Sequence, residues 1–361
     1  MVSRCMDPLA RALVLGLLSS LLALDGISAQ ETTRRPPPCA ACHAQGKSQP
    51  STSMGRAMES VSEAGLLSSL PLLTFSQNGY SYRIERRDNQ TIYSVTDGKQ
   101  TLSLPIAWAV GAGRMGQTYV LEKDGDLYES RVSYFTEIKG LDITIGQAGI
   151  TPKNIVQAMG RVMDSEESLR CFGCHSTNSS DGKKLSLDKL TPGVQCVHCH
   201  VSAPQHLAGM AEGELHLDDM KKLSNMTADD ASHFCGQCHR TLEEVMMQNR
   251  TDITSLRFQP YRLGLSKCYD PDDRRISCVT CHDPHVELVS DSAHYDSKCM
   301  ACHGGGKAGP RPCKVAKKDC ASCHMPKLEV PGTHHRFSDH RIRIVKAREP
   351  FAMITIPTSV R

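Results

Sequence analysis

Aromatic side chains are scarce in this 361-residue chain, with one tryptophan, seven phenylalanines and 5% aromatic residues in all. A fold built on so few rings must draw its large flat apolar surfaces from something other than side chains. Long apolar runs are missing too. The one sizeable run covers residues 12–24, which is too short to span a bilayer as a helix. Arg4 and Arg11 flank it on the basic side, and Ile27-Ser28-Ala29 reads as an acceptable cleavage site. Residues 1–29 are therefore expected to be a signal peptide, with a retained membrane anchor as the alternative. No lipid-attachment cysteine follows the run, because Cys5 precedes it. Export excludes nucleic acid as a natural partner.

Cysteine is what the chain has in quantity. Seventeen are present, and fourteen of them fall in seven copies of Cys-x-x-Cys-His. The copies are Cys39/Cys42/His43, Cys171/Cys174/His175, Cys196/Cys199/His200, Cys235/Cys238/His239, Cys278/Cys281/His282, Cys299/Cys302/His303 and Cys320/Cys323/His324. In the last three, the first cysteines recur every 21 residues. One such pair also reads as a zinc knuckle or a thioredoxin-like redox motif. Zinc has no reason to demand histidine at one fixed position seven times. A c-type haem does: two thiols form thioethers with its vinyl groups and the histidine ligates iron. Seven covalent haems are expected.

That expectation alters the charge. The chain alone carries a formal +3. Each ferric haem brings about −1, so the loaded protein reaches about −4 when oxidised and about −11 when fully reduced. Of the three cysteines outside the motifs, Cys5 leaves with the leader. Cys268 and Cys313 remain as a candidate disulfide, or as two buried free thiols.

Residues 31–38 (ETTRRPPP) read as a polar, proline-rich linker. After the first motif a short amphipathic helix is expected over about residues 55–70. Met54 and Met58 could each ligate the first haem, or serve as core. Residues 72–146 hold no motif and alternate with period two (YSYRIER, TIYSV, LPIAWAV, TYVLE, LYESRVSYF). Asn78-Gly79, Asp97-Gly98 and Asp124-Gly125 punctuate them, as in an antiparallel meander. This segment is either a docking module or a scaffold packed against the first haem. From Thr151 the pattern turns helical, with Ile155, Met159 and Met163 on one stripe. Six motifs then occupy 154 residues, about 26 per haem. That is too little chain to wrap each haem in a conventional core, so the porphyrins themselves must form it.

Nine histidines lie outside the motif-final positions, all between Cys171 and His340: His198, His206, His216, His233, His285, His294, His334, His335 and His340. Such crowding in the motif-rich half suggests second axial ligands, giving bis-histidine haems. His198 sits within a motif and His335 beside His334, which leaves His206, His216, His233, His285, His294, His334 and His340 as candidates. His206 and His285 lie too near their own proximal histidines to reach the opposite haem face, and so suit neighbouring haems. From Lys307 onward the chain has 12 Lys or Arg against four Asp or Glu. These cations can pair with haem propionates or form a docking face for an acidic redox partner.

Three passages carry a family resemblance beyond the motifs: GVQCVHCHVSAPQH at residues 193–206, SCVTCHDPH at 277–285, and CASCHMPK with HHRFSDHRI at 320–342. The chain resembles exported multihaem cytochromes of the cytochrome c-552/4-like superfamily, and residues 111–146 resemble the motif-free insert of such proteins. It departs at Val201-Ser202, where the family pattern has Gly-Pro. The resemblance implies His206, His285 and His334 as distal ligands, and His340 less firmly.

The expected fold class is α+β: a multihaem cytochrome c domain of short helices and loops around stacked haems, with an antiparallel β-rich insert between haems 1 and 2. The expected divisions are 1–29 (signal peptide), 30–71 (haem 1), 72–150 (insert), 151–345 (haems 2–7) and 346–361 (tail). The expected function is single-electron transfer, periplasmic or extracellular, between donor and acceptor cytochromes or a quinol-oxidising complex. Peripheral membrane association fits this reading, and the oligomeric state is left open. The alternative is an oxidoreductase acting on nitrite or hydroxylamine at one open haem. Against it, no motif ends in lysine, the mark of many ammonia-forming nitrite reductases.

Overall fold

The structure, a computed structural model, describes residues 38–212, 222–304, 313–346 and 348–351. The expected signal peptide and His216 lie outside the described residues. Helix and antiparallel sheet both occur, the long strands lying before residue 163 and most of the helices after it, in keeping with an α+β class.

The first motif opens on a 3-10 turn, Pro38–Ala41, followed by α1 (Gln45–Ser48). The expected helix over residues 55–70 is not formed. Met58–Ser60 is instead strand β1, and only Gly65–Ser69 is helical, as α2. Pairing across the chain overrides the local apolar period here. β1 runs antiparallel to β5 (Thr101–Val110), with Met58 opposite Val110, and the Ala57 carbonyl accepts from Gly111 N at 2.7 Å.

The meander follows as β2 (Leu72–Gln77), β3 (Tyr80–Arg87), β4 (Gln90–Thr96), β5, β6 (Gly116–Lys123), β7 (Asp126–Ser130), β8 (Val132–Phe135) and β9 (Gly140–Ile143). Neighbours along β2 to β7 pair in sequence order, while β8 bonds to β6 and β9. Asn78-Gly79 and Asp124-Gly125 both turn with positive φ (53° and 81°, 54° and 85°), as two-residue hairpins of this twist need. Alternation then sorts the faces. Tyr82 lies opposite Val95 and Ile84 opposite Tyr93, all four buried, while Arg83, Ser94 and Glu85 face outward. Beyond the expected border at residue 150, Gly160–Val162 adds β10 alongside β7. The sheet thus recruits strands from both flanks of the insert.

Between β9 and β10 lies α3 (Ile155–Met159), capped by the Asn154 side chain, and it buries Ala158 and Met159 against the sheet. The motif-bearing part starts with α4 (Ser165–His175). Its Asp164 cap accepts from Glu167 N, with Glu166 and Glu167 in the first turn. A short ladder pairs β11 (Ser176–Thr177) with β12 (Thr191–Pro192). Then come α5 (Cys196–Cys199), α6 (Ala203–Glu212), α7 (Ala228–His239), α8 (Leu242–Met247) and α9 (Gln259–Gly264). After these follow α10 (Cys278–Cys281), α11 (Ser292–His303) and α12 (Cys320–His324). A hairpin of β13 (Lys327–Val330) and β14 (His335–Ser338) closes the described chain. Among the described residues no helix is long and apolar enough to cross a membrane.

The apolar core is unevenly shared. Among the described residues, eighteen buried residues form one cluster on the sheet, whereas the largest cluster lying wholly in the six-motif part has three: Val245, Phe258 and Tyr261. Side chains alone supply little core there. A third cluster (Met58, Val120, Met163, Phe172) couples the sheet to α4, with Trp108 edge-on to Phe172 at 6.3 Å.

Candidate haem sites

Local structure explains the form of the motif. In a helix, residues i, i+3 and i+4 share a face, so one turn presents both thiols and the imidazole together. α4, α7 and α11 each end on their motif histidine (His175, His239, His303), and α5, α10 and α12 are single turns over the motif itself.

The fold brings motifs together in pairs. Thiol contacts join Cys39 to Cys196, Cys174 to Cys238, Cys235 to Cys278 and Cys299 to Cys320. Motif one thus lies beside three, two beside four, four beside five and six beside seven. Cys281 also feels the charge of Cys299, which places five near six. An interhelical contact reinforces the last pair. Asp296 on α11 accepts from Asp319 N (2.6 Å) and Cys320 N (2.8 Å), capping α12 from outside.

Cys42 and Cys323 depart from the enclosed setting that a core built of porphyrins leads one to expect. Both side chains are exposed, whereas the other twelve motif cysteines are half-buried. The reason lies in their place in the series. Each is the second cysteine of a terminal motif, the first or the seventh, and the inter-motif contacts there run through the first cysteines, Cys39 and Cys320. Cys323 Sγ meets the neighbouring Ser322 hydroxyl at 3.8 Å. At the two ends of the series the protein itself therefore leaves one thiol of the pair uncovered.

Three motif histidines face a second histidine. His43 and His206 have ring centroids 6.3 Å apart, His200 and His285 6.1 Å, and His282 and His340 6.2 Å. An imidazole nitrogen sits about 2 Å from a bound first-row metal, and the ring centre about 1 Å beyond it. Two imidazoles on opposite sides of one metal therefore have centroids about 6 Å apart. The centroid separations of all three pairs match that span.

Hydrogen bonds orient several of these rings. With Nδ1 carrying the proton, His340 donates to the Ser338 carbonyl (3.0 Å) and His285 to Asp283 Oδ1 (2.9 Å). His175 likewise donates to the Ala57 carbonyl (3.1 Å) and His324 to that of Arg343 (2.9 Å). Nε2 is left for a metal, and the outer-shell acceptor raises its basicity. Burial also favours the neutral, ligating form of three motif histidines. It lowers the pKa of His175, His239 and His200, with His285 adding to the effect at His200. His340 is pulled down to about 4 by burial and then by His282.

The other candidates are placed differently. His334 puts Nε2 2.7 Å from Asp142 and its ring 5.0 Å from Phe135, so it pins the β13–β14 hairpin to the sheet. His335 meets Glu137 at 3.3 Å in the same seam. His233 is exposed, with Nδ1 3.0 Å from the Asp229 carbonyl and Nε2 3.5 Å from Glu243. His294 packs edge-on to Tyr295 at 5.1 Å and lies near enough to His282 to lower its pKa, after burial. His198 is half-buried and faces no histidine ring among the described residues. Met58 is fully buried with Val120, Met163 and Phe172, and acts as core. Met54 accepts from Val194 N at 3.0 Å through its backbone, beside motif three.

Cys268 and Cys313 are both exposed free thiols, so the expected bridge is not formed. Cys268 lies instead near Cys299 and Cys302, within reach of their charge. Two site features escaped the sequence reading. Gln49, buried, donates to the Val194 carbonyl (2.7 Å) and its Oε1 lies 4.0 Å from Cys196 Sγ, tying motif one to motif three. Arg262 and Asp339, both fully buried, form an ion pair at 2.8 Å. No local pattern marks either, because each joins segments at least 77 residues apart.

Among known proteins, the family of cytochrome c554 and c-prime matches residues 148–201, which hold the second and third motifs. No curated protein matches the chain. Among solved structures, the crystal structure of the outer cell wall cytochrome OcwA is similar at 15% identity and a TM-score of 0.47, covering 84% of this chain and 78% of that one. With seven attachment pentapeptides and a family match across two of them, the chain is a multihaem c-type cytochrome.

Proposed function

We propose that the chain carries seven covalent haems c and conducts single electrons between redox partners outside the cytoplasm. All fourteen motif cysteines are assigned to thioethers, the exposed Cys42 and Cys323 included, because the one-turn spacing sets each beside its half-buried partner, Cys39 or Cys320. The haem supplies the ferric–ferrous couple, and the chain's residues hold it, tune it and set the order of sites. The observation that carries this reading is the set of three histidine pairs at 6.1–6.3 Å. At these three motifs the paired imidazoles would hold the iron from both sides, an arrangement that suits electron transfer and would leave no position there for substrate.

The pairs also form a relay. His206, just after motif three, faces the motif-one histidine. His285, just after motif five, faces that of motif three. His340, after motif seven, faces that of motif five. Motifs one, three and five are thus each closed by chain from the next odd motif. The thiol contacts attach motifs two and four to this line at motif five, and motif six to motif seven. Sites this closely packed suit a continuous conduit.

Intact-mass spectrometry of the haem-loaded protein should show seven haems. Electron paramagnetic resonance of its oxidised form should be dominated by low-spin ferric signals. A stoichiometric high-spin signal lost on adding nitrite or hydroxylamine would overturn the carrier reading in favour of an enzyme.

A further inference from the structure

The three histidine pairs differ in what stands behind their rings. Among the described residues, His285 alone of the six is hydrogen-bonded to a carboxylate, with Nδ1 2.9 Å from Asp283 Oδ1. The same oxygen accepts from the His285 backbone N at 2.9 Å, so one carboxylate oxygen holds both the backbone and the ring of this residue. Other rings meet neutral groups or none. Behind His340 stands the Ser338 carbonyl at 3.0 Å. Behind His282 stands the Tyr295 hydroxyl at 3.5 Å, whose own proton goes to the Val289 carbonyl at 2.8 Å. Nδ1 of His200 and Nδ1 of His206 are buried without a hydrogen-bond partner. The His200–His285 pair is therefore lopsided, with an anion behind one ring and no acceptor behind the other.

That asymmetry has an electronic consequence. An acceptor at Nδ1 strengthens Nε2 as a donor to a metal. An ionised carboxylate does so more than a neutral oxygen, because charge-assisted hydrogen bonds are roughly twice as strong. A stronger donor and a nearby negative charge both favour ferric over ferrous iron. The Asp283 side chain is 58% exposed, so water screens its through-space charge and the hydrogen bond carries the larger share. Two residues further on, Glu287 supplies a comparison. It carries the same charge but is bonded to Ser53 N (2.6 Å), Ser53 Oγ (2.9 Å) and the Arg114 guanidinium instead of a ring.

We propose that Asp283 is a positioning residue that lowers the potential of the haem held between His200 and His285, acting through the His285 ring. The inference rests on the reading that these two histidines share one iron, and it names the side chain that tunes that iron. In the relay this haem is the middle site, between the His43–His206 and His282–His340 pairs. Asp283 holds it below the potential that a neutral acceptor, such as those beside His282 and His340, would give it.

The test is a spectroelectrochemical titration, with paramagnetic resonance, of the haem-loaded full chain and its D283N, E287Q and H285A variants. Asparagine keeps an oxygen for the two N–H groups of His285 and removes the charge, so the turn is retained. D283N should raise the midpoint potential of one haem with every low-spin signal kept. E287Q should leave all potentials in place. H285A should turn the haem affected by D283N high-spin, which identifies it. A D283N titration curve superimposable on the wild type overturns the proposal. So does an equal rise in E287Q, because charge near the site would then account for both. H285A separates the two levels of argument. If it turns one iron high-spin while D283N changes nothing, only the role of Asp283 fails. If H285A leaves every iron low-spin, the ligand pairing fails and the inference with it.

Discussion

His206→Ala isolates the ligand of the first haem. That haem is the sharpest case, because its motif lies 132 residues before the next and no histidine outside a motif is near it in sequence. The structure brings His206, on α6, to a centroid separation of 6.3 Å from His43. Two metal–imidazole bonds of about 2 Å, plus about 1 Å to each ring centre, span about 6 Å, so the iron fits with little movement. The 51° angle between the ring planes is no obstacle, since each ring can rotate about its own bond to iron. Alanine is the best helix former, so the variant should not unfold α6. One iron in seven should then lose its sixth ligand and turn high-spin or bind water, while the other six stay low-spin. Oxidised-state paramagnetic resonance, integrated against a haem standard, reads that fraction. His206→Met offers a second arm: a methionine ligand should keep the iron low-spin and raise its potential. If His206→Ala leaves all seven irons low-spin, another group closes the first haem and the relay loses its first link.

Three further outcomes follow from the same geometry. His334→Ala should leave every iron low-spin, because the ring contacts Asp142 and no motif histidine; with a half-exposed partner, the stability cost should stay within about 1 kcal/mol by chemical denaturation. Met58→Ala should cost about 2–5 kcal/mol as a core cavity and still leave the first haem low-spin, whereas a new high-spin signal would identify Met58 as its ligand. The Asp296 carboxyl is held below its ordinary pKa by hydrogen bonds from Cys320 N and then Asp319 N, with burial opposing them. The unfolded chain then binds the proton more readily, so this contribution is present above about pH 4 and is lost as pH falls through the native value. Asp296→Asn should flatten the acid side of the stability profile, and an unchanged profile would remove the cap from the argument.

What the sequence revealed depended on the range of the interaction. The meander between residues 72 and 146 was legible because alternation and Asn-Gly or Asp-Gly turns are local, and Asn78-Gly79 and Asp124-Gly125 turn with the expected positive φ. β1 was not legible. Met58 is buried, as an apolar position of the expected helix would be, yet it pairs with Val110, more than 50 residues away. The Cys268–Cys313 bridge failed for a related reason: two cysteines left over in a count need not be neighbours, and the fold sets Cys268 against motif six. Exposure of Cys42 and Cys323 was hidden in the same way, since a pentapeptide repeated seven times reads alike at the ends of the series and in its middle.

The histidines show the limit most clearly. Composition could say that nine spare imidazoles crowd the motif-rich half, but His334 and His340 stand six residues apart and end in different environments. The backbone of β14 and the turn before it carry His334 to Asp142 on the sheet. The buried Arg262–Asp339 pair instead turns the following segment inward and delivers His340 to His282. Nothing within six residues of sequence distinguishes the two. The difference lies in which distant surface each segment is bonded to, an acidic sheet edge for one and a buried arginine for the other. Reading ligands from a chain of this kind therefore requires asking first what anchors the backbone beside each histidine, and only then what its ring can reach.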